Sequence, residues 1–320
     1  MRVMLATDGS GSAAVAAELV GNIRWPSGTA IDIVRVIGEG GQDLVDGPWR
    51  AVGFRFSLEA QAAAIRDAEQ ALVALAEPLQ KLRLKTDHFL LRGRPADALL
   101  EWIECHHPDV VIVGSRGVSP FERALVGSVS AELVDGSPVP VLVARRPTLD
   151  RVVVAVDGSE IASQAVATAR RWPFLAMAEI RTLSVAPEHA RWWPDELSTA
   201  GTGGADGEHE AARESLVEHD GIAAEAAAIL RAVGFKAHSE VRAGSPASTI
   251  VAFSRDWDAD LVIMGSHGRT GLARLLLGSV ARNVLHHASC SVLIVHRHGE
   301  PIKGKRAEVV IRPWTIVASH

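Results

Sequence analysis

Short runs of apolar, often β-branched residues alternate along this chain with longer stretches whose apolar positions recur at helical spacing. In the first half this pattern predicts strands near 2–7, 31–37, 86–91, 109–113 and 139–144, and helices near 11–21, 57–80, 96–107 and 128–136. Runs such as Asp109-Val110-Val111-Ile112-Val113 are continuously apolar, as expected of strands in a parallel sheet covered on both faces. The second half repeats the order, with its long helix near 208–233. Pro78 should kink or end the long second helix early, because it lacks an N–H and clashes with the preceding turn.

The alternation is duplicated. Arg2-Val3-Met4-Leu5-Ala6-Thr7-Asp8-Gly9-Ser10 is answered by Arg151-Val152-Val153-Val154-Ala155-Val156-Asp157-Gly158-Ser159, and Gly93-Arg94-Pro95 by Gly244-Ser245-Pro246. Gly114-Ser115-Arg116-Gly117, nine residues and Gly127-Ser128 recur as Gly265-Ser266-His267-Gly268, nine residues and Gly278-Ser279, 151 positions later (265 − 114 and 278 − 127). A period this long marks a duplicated domain, not a solenoid unit. The expected organisation is a first domain over 1–146, a linker over 147–150 around Pro147, a second domain over 151–298 and a tail over 299–320.

Composition narrows the classes. A hydrophobic share of 48% and a charged share of 22% are those of an ordinary globular chain. The net charge of −5 offers no long-range attraction to nucleic acid or an anionic membrane. No stretch approaches the length needed to cross a bilayer, the chain start is too short in apolar residues for a signal peptide, and a cytoplasmic location is expected. Cys105 and Cys290 fall at unrelated positions in the two halves, which argues against a disulfide. Cys105-His106-His107 and His286-His287 lack the spacing of a metal set, and no metal site is expected.

The glycine signature carries the candidate chemistry. Each copy leaves a buried strand and enters a helix, a geometry that gathers backbone N–H groups and a helix dipole around one anion. The glycines could also serve only the sharp turn, with Ser128 and Ser279 as helix N-caps. Asp8 and Asp157 could likewise serve only to begin the first helix of each half. Two long glycine-containing loops, 38–56 and 187–207, follow the second strands, where they either cover a ligand or have no role.

These residues resemble the universal stress protein family: the Asp-Gly-Ser after the first strand, the Gly-x-Pro after the third, and the Gly-x-x-Gly, nine residues, Gly-Ser after the fourth. The resemblance covers 1–146 and 151–298 and implies an α/β fold of two tandem, doubly wound, five-stranded parallel-sheet domains, Rossmann-like, with strand order 3-2-1-4-5. It further implies a nucleotide at the switch point of each sheet. Gly114, Gly117, Gly127 and Ser128 would hold the phosphates in the first half, and Gly265, Gly268, Gly278 and Ser279 in the second. Asp8 and Asp157 would sit near the ribose and phosphates, with Val36-Ile37 and Val185-Ala186 flanking the adenine. Arg116, Arg123, Arg269 and Arg274 are further cations of these loops. The implied cofactor is ATP with Mg²⁺, and the implied assembly is a homodimer of a pseudo-dimeric chain, built through the last strands. The tail, with Val309-Val310-Ile311 and Trp314-Thr315-Ile316-Val317, is expected to dock, add a strand or remain disordered.

No Walker phosphate loop is present, nor a second acid at recognisable spacing to position an attacking water. The expected function is an ATP-binding regulatory protein of the stress response, not an enzyme, with slow incidental hydrolysis. Two alternatives stay open: a dimerising scaffold with empty sites, and an adenine-nucleotide hydrolase. The first-half spacer carries Pro120 and Glu122, one amide fewer and one negative charge more, so the second site is expected to bind more tightly.

Overall fold

Among the described residues, five parallel strands and four α-helices build each half of the chain. The computed structural model describes residues 1–38, 58–82, 84–117, 126–187, 205–268, 277–296 and 312–313. These form two compact units, Met1–Thr148 with the segment from His296, and Leu149–Val295.

In the first unit, β1 (Arg2–Ala6), β2 (Ala30–Ile37), β3 (Lys85–Arg92), β4 (Val110–Gly114) and β5 (Val141–Ala144) are parallel and run in the order β3-β2-β1-β4-β5. Helices α1 (Gly11–Asn22) and α2 (Leu58–Lys81) pack against each other, as do α3 (Pro95–His106) and α4 (Ser128–Gly136). The sheet is thus doubly wound. Every residue of β4 and β5 is buried, which is why these strands read as unbroken apolar runs. Val3, Met4, Leu5, Ile112 and Leu142 form the centre of this core.

The second unit repeats the plan with β6 (Arg151–Ala155), α5 (Glu160–Arg170), β7 (Glu179–Ala186), α6 (Ala205–Arg231), β8 (Lys236–Ala243), α7 (Pro246–Asp256), β9 (Leu261–Gly265), α8 (Ser279–His287) and β10 (Ser291–Val295). Its strand order is β8-β7-β6-β9-β10.

The chain departs from its expected pattern at Pro78. Helix α2 does not stop there but runs on to Lys81. Pro78 sits in the last turn, where little of the hydrogen-bond ladder remains to be lost, and buried Leu79 anchors that turn to the core. From the tail, Arg312–Pro313 adds a short strand, β11, antiparallel to Phe89–Leu90 of β3. The apolar tail segments on either side lie outside the described residues.

Candidate functional site

The ends of β1 and β4 are adjacent, because these strands pair in register from Val3 with Val110 to Ala6 with Val113. After β1 the chain must turn into α1, and Asp8 makes that turn: its Oδ1 accepts from the Ser10 amide at 2.9 Å, while the Ser10 hydroxyl caps α1 by accepting from the Ala13 amide at 3.2 Å. Asp157 and Ser159 repeat this at 3.0 and 3.2 Å. The turn uses one carboxylate oxygen. The other faces the loop after β4, so closely that a methyl group on Gly117 would stand 2.9 Å from Asp8 Oδ2, and one on Gly268 would stand 2.7 Å from Asp157 Oδ2.

A single backbone bond explains the spacing of the glycine signature. Gly127 N–H donates to Ser115 carbonyl at 2.7 Å, and Gly278 N–H to Ser266 carbonyl at 2.8 Å, so the nine-residue spacer leaves and returns at one point. Side chains would obstruct that closure: a methyl group on Gly127 would lie 3.3 Å from Arg116 Cα, and one on Gly278 would lie 3.1 Å from the Ser266 carbonyl oxygen. Gly127 and Gly278, not Ser128 and Ser279, are the N-caps of α4 and α8; the serines are the first helical residues. Among the described residues no side chain caps either helix, whose first amides carry the positive end of its dipole. Gly114 and Gly265 have another reason to be glycine. A methyl group on Gly114 would strike the Ser12 backbone at 2.6 Å, and one on Gly265 would strike Ile161 Cγ2 at 2.5 Å, so both let the strand end pack on the first helix.

In the first unit, Asp8, Ile37, Gly114, Gly117, Gly127 and Ser128 all line one cavity of about 250 Å³. The lining is polar at the Asp8 carboxylate, the glycine loop and the start of α4, and apolar at Ile37, Pro95 and Leu99. The Gly-x-Pro motif ties β2 to the start of α3. Gly93, at a φ of +135° that favours glycine, donates its N–H to Ile37 carbonyl at 3.1 Å, and Pro95 opens α3 at the cavity. Gly244 and Ala186 form the same bond at 3.0 Å in the second unit. Asp157, Gly268, Gly278 and Ser279 thus stand in the same relation to one another as their first-half counterparts, with Ala186 at the end of β7.

Sequence reasoning did not name Arg35, Pro95 or Leu99 among the site residues; Pro95 belongs to a motif noted for the repeat and the family resemblance, and Arg35 is the lone cation in the run Val34-Arg35-Val36, a signal that was available. Arg116 also lines the cavity. Arg123, Arg269, Arg274, Pro120 and Glu122 lie outside the described residues, as do all but the ends of the two long loops.

Other chemically suggestive groups have structural employment. His106 stacks on Trp102 with ring centroids 4.1 Å apart, and His287 Nδ1 lies 2.8 Å from Asn283 carbonyl. Among the described residues no cluster of three or more His, Cys, Asp or Glu is placed to hold a metal, and neither cysteine forms a disulfide. Asp32, fully buried near the start of β2 and away from the cavity, pairs with Arg2; burial pushes its pKa up and Arg2 opposes the shift. No helix among the described residues is long and apolar enough to cross a membrane.

Two doubly wound α/β units, at least one with a cavity at its topological switch point, define a Rossmann-like α/β protein. The sequence profile of the universal stress protein family matches residues 1–145 and again 148–296, and the chain belongs to that family. It is 30% identical over 233 residues to a universal stress protein of Mycobacterium tuberculosis, an alignment covering 68% of this chain and 70% of that protein. A universal stress protein of Methanocaldococcus jannaschii is 50% identical over 64 residues, which span only 20% of this chain and 38% of that protein. Among solved structures, a universal stress protein from Archaeoglobus fulgidus superposes with a TM-score of 0.63 at 21% identity, covering 92% of this chain and 98% of that one, a likeness of fold.

Proposed function

We propose that each half of this chain binds an adenine nucleotide, ATP with Mg²⁺, and that the protein acts as a nucleotide-responsive regulator in the stress response. The observation that carries this reading is the convergence, in the lining of one cavity, of a helix start with no described side-chain cap, a glycine loop closed on its own backbone, the one carboxylate among the described lining residues, and apolar side chains. The amides at the start of α4 and α8 suit phosphate oxygens. The apolar lining of Ile37, Pro95 and Leu99 suits a base. Asp8, the one carboxylate among the described residues of the first cavity, and its counterpart Asp157 suit a magnesium ion carried mainly by phosphate and water.

Asp8 is the only acid among the described residues lining the cavity, which favours binding over catalysis, since an attacking water needs a group to orient it. Association of two chains into a homodimer is part of the same reading and rests on the family resemblance. Calorimetric titration of the full chain with Mg-ATP tests it. The wild-type chain is expected to bind, and a Gly117→Val, Gly268→Val double variant, which fills the space before each carboxylate, is expected to stay folded and not bind. A folded wild-type chain that takes up no nucleotide would overturn the proposal and favour the scaffold alternative.

A further inference from the structure

The two sites differ in charge at one position of the sheet. Arg35 lies on β2 and Ser184 on β7, and the registers that pair Arg2 with Ala30 and Arg151 with Glu179 put these residues on the same rung. The Arg35 guanidinium lines the first cavity and reaches over the turn after β1, where a methyl group on Gly9 would stand 3.4 Å from its Nη1. Among the described residues no hydrogen bond or ion pair engages it. Ser184 is fully buried, and its hydroxyl lies 2.7 Å from His219 Nδ1 of α6, so the second unit spends this position on internal packing. A second contrast lies in the glycine loops, where Arg116 of the first unit stands where the second has His267. Since β2 and β4 flank β1 on opposite sides, Arg35 and Arg116 bracket the Asp8 turn from both.

A guanidinium with no partner among the described residues, lining a cavity whose only described acid is Asp8, attracts a bound anion in proportion to the charge that anion carries. We infer that the first site selects by charge: Arg35 makes it prefer polyphosphate-bearing nucleotides over monophosphates more strongly than the second site does. This rests on the nucleotide reading proposed above. It concerns the ratio of two affinities at one site and is separate from which site binds ATP more tightly.

The test is calorimetric titration of the full chain with ATP and with AMP, in a Gly268→Val background to read the first site and a Gly117→Val background to read the second. The ATP-to-AMP affinity ratio is expected to be higher at the first site and to fall by about tenfold in Arg35→Met, while Arg35→Lys retains most of it. Raising the ionic strength should shrink the ratio in the Arg35 protein and leave the Arg35→Met protein less affected. Circular dichroism confirms that the variants are folded, and Arg35→Gln stands in should Arg35→Met not fold. A ratio unchanged within about twofold in folded Arg35→Met or Arg35→Gln, with ATP still bound, overturns the inference and leaves nucleotide binding intact. A wild-type chain binding neither ligand removes both.

Discussion

A methyl group on Gly114 and one on Gly117 would meet different obstacles, and the difference separates folding from binding within a single motif. On Gly114 it would lie 2.6 Å from the carbonyl carbon of Ser12 and 2.7 Å from the amide nitrogen of Ala13, backbone atoms that move only if α1 moves. Gly114→Ala is therefore expected to cost about 1–3 kcal/mol as overpacking, read as a lowered midpoint in urea unfolding. On Gly117 the methyl group would meet, among the described residues, only Asp8 Oδ2, at 2.9 Å, the end of a side chain. Gly117→Ala is expected to leave the unfolding midpoint nearly unchanged and to weaken nucleotide binding. Equal destabilisation by the two substitutions would show that the Asp8 turn is as rigid as the helix behind it. The sequence marked both glycines alike, because spacing does not record what lies across a crevice. Only the register of β1 against β4 brings Ser12 and Asp8 to their respective glycines.

At the scale of elements, continuous apolar runs located the central strands β4 and β5, because strands buried on both faces cannot carry polar residues without partners. The stretch expected near 31–37 is β2 at Ala30–Ile37, and that expected near 86–91 is β3 at Lys85–Arg92, whose residues are mostly exposed or half-buried. The helix starts were less legible. Ser128 follows a glycine and looks like an N-cap, yet the cap is Gly127, which leaves the helix without a side-chain acceptor among the described residues and its first residues lining the cavity. Pro78 misled for a different reason: local propensity argues for a helix end, and burial of Leu79 and Ala76 outweighs it. The proline still withholds one backbone bond. Pro78→Ala should restore it and stabilise the first unit by about 1 kcal/mol, after allowing for the freer unfolded chain, measured as an increase in the urea midpoint. Destabilisation would instead mean that the proline ring itself is part of the packing beneath α2.

For the whole molecule, duplication was the strongest signal in the sequence, and it predicts two sites built by one rule. The rule holds where backbone geometry sets it. The Asp turn, the Ser115–Gly127 and Ser266–Gly278 closures, and the bonds from Gly93 to Ile37 and from Gly244 to Ala186 recur within about 0.1 Å of each other. It relaxes where side chains alone decide. Arg35 becomes Ser184, and Ser12, whose hydroxyl accepts from the Arg116 amide at 3.1 Å, becomes Ile161. The repeat was legible because backbone constraints hold both copies to glycine. The contrast at Arg35 was legible only in part, because a lone cation in an apolar strand is visible in the sequence but the way it turns is not. If the shared backbone is what binds, both sites should fill despite these differences. Titration of the 34.0 kDa chain with Mg-ATP is then expected to saturate at two nucleotides, and Gly117→Val or Gly268→Val alone should each leave one. A wild-type stoichiometry of one, abolished by only one of these substitutions, would mean that side chains, not the repeated backbone, decide which half of the chain is a receptor.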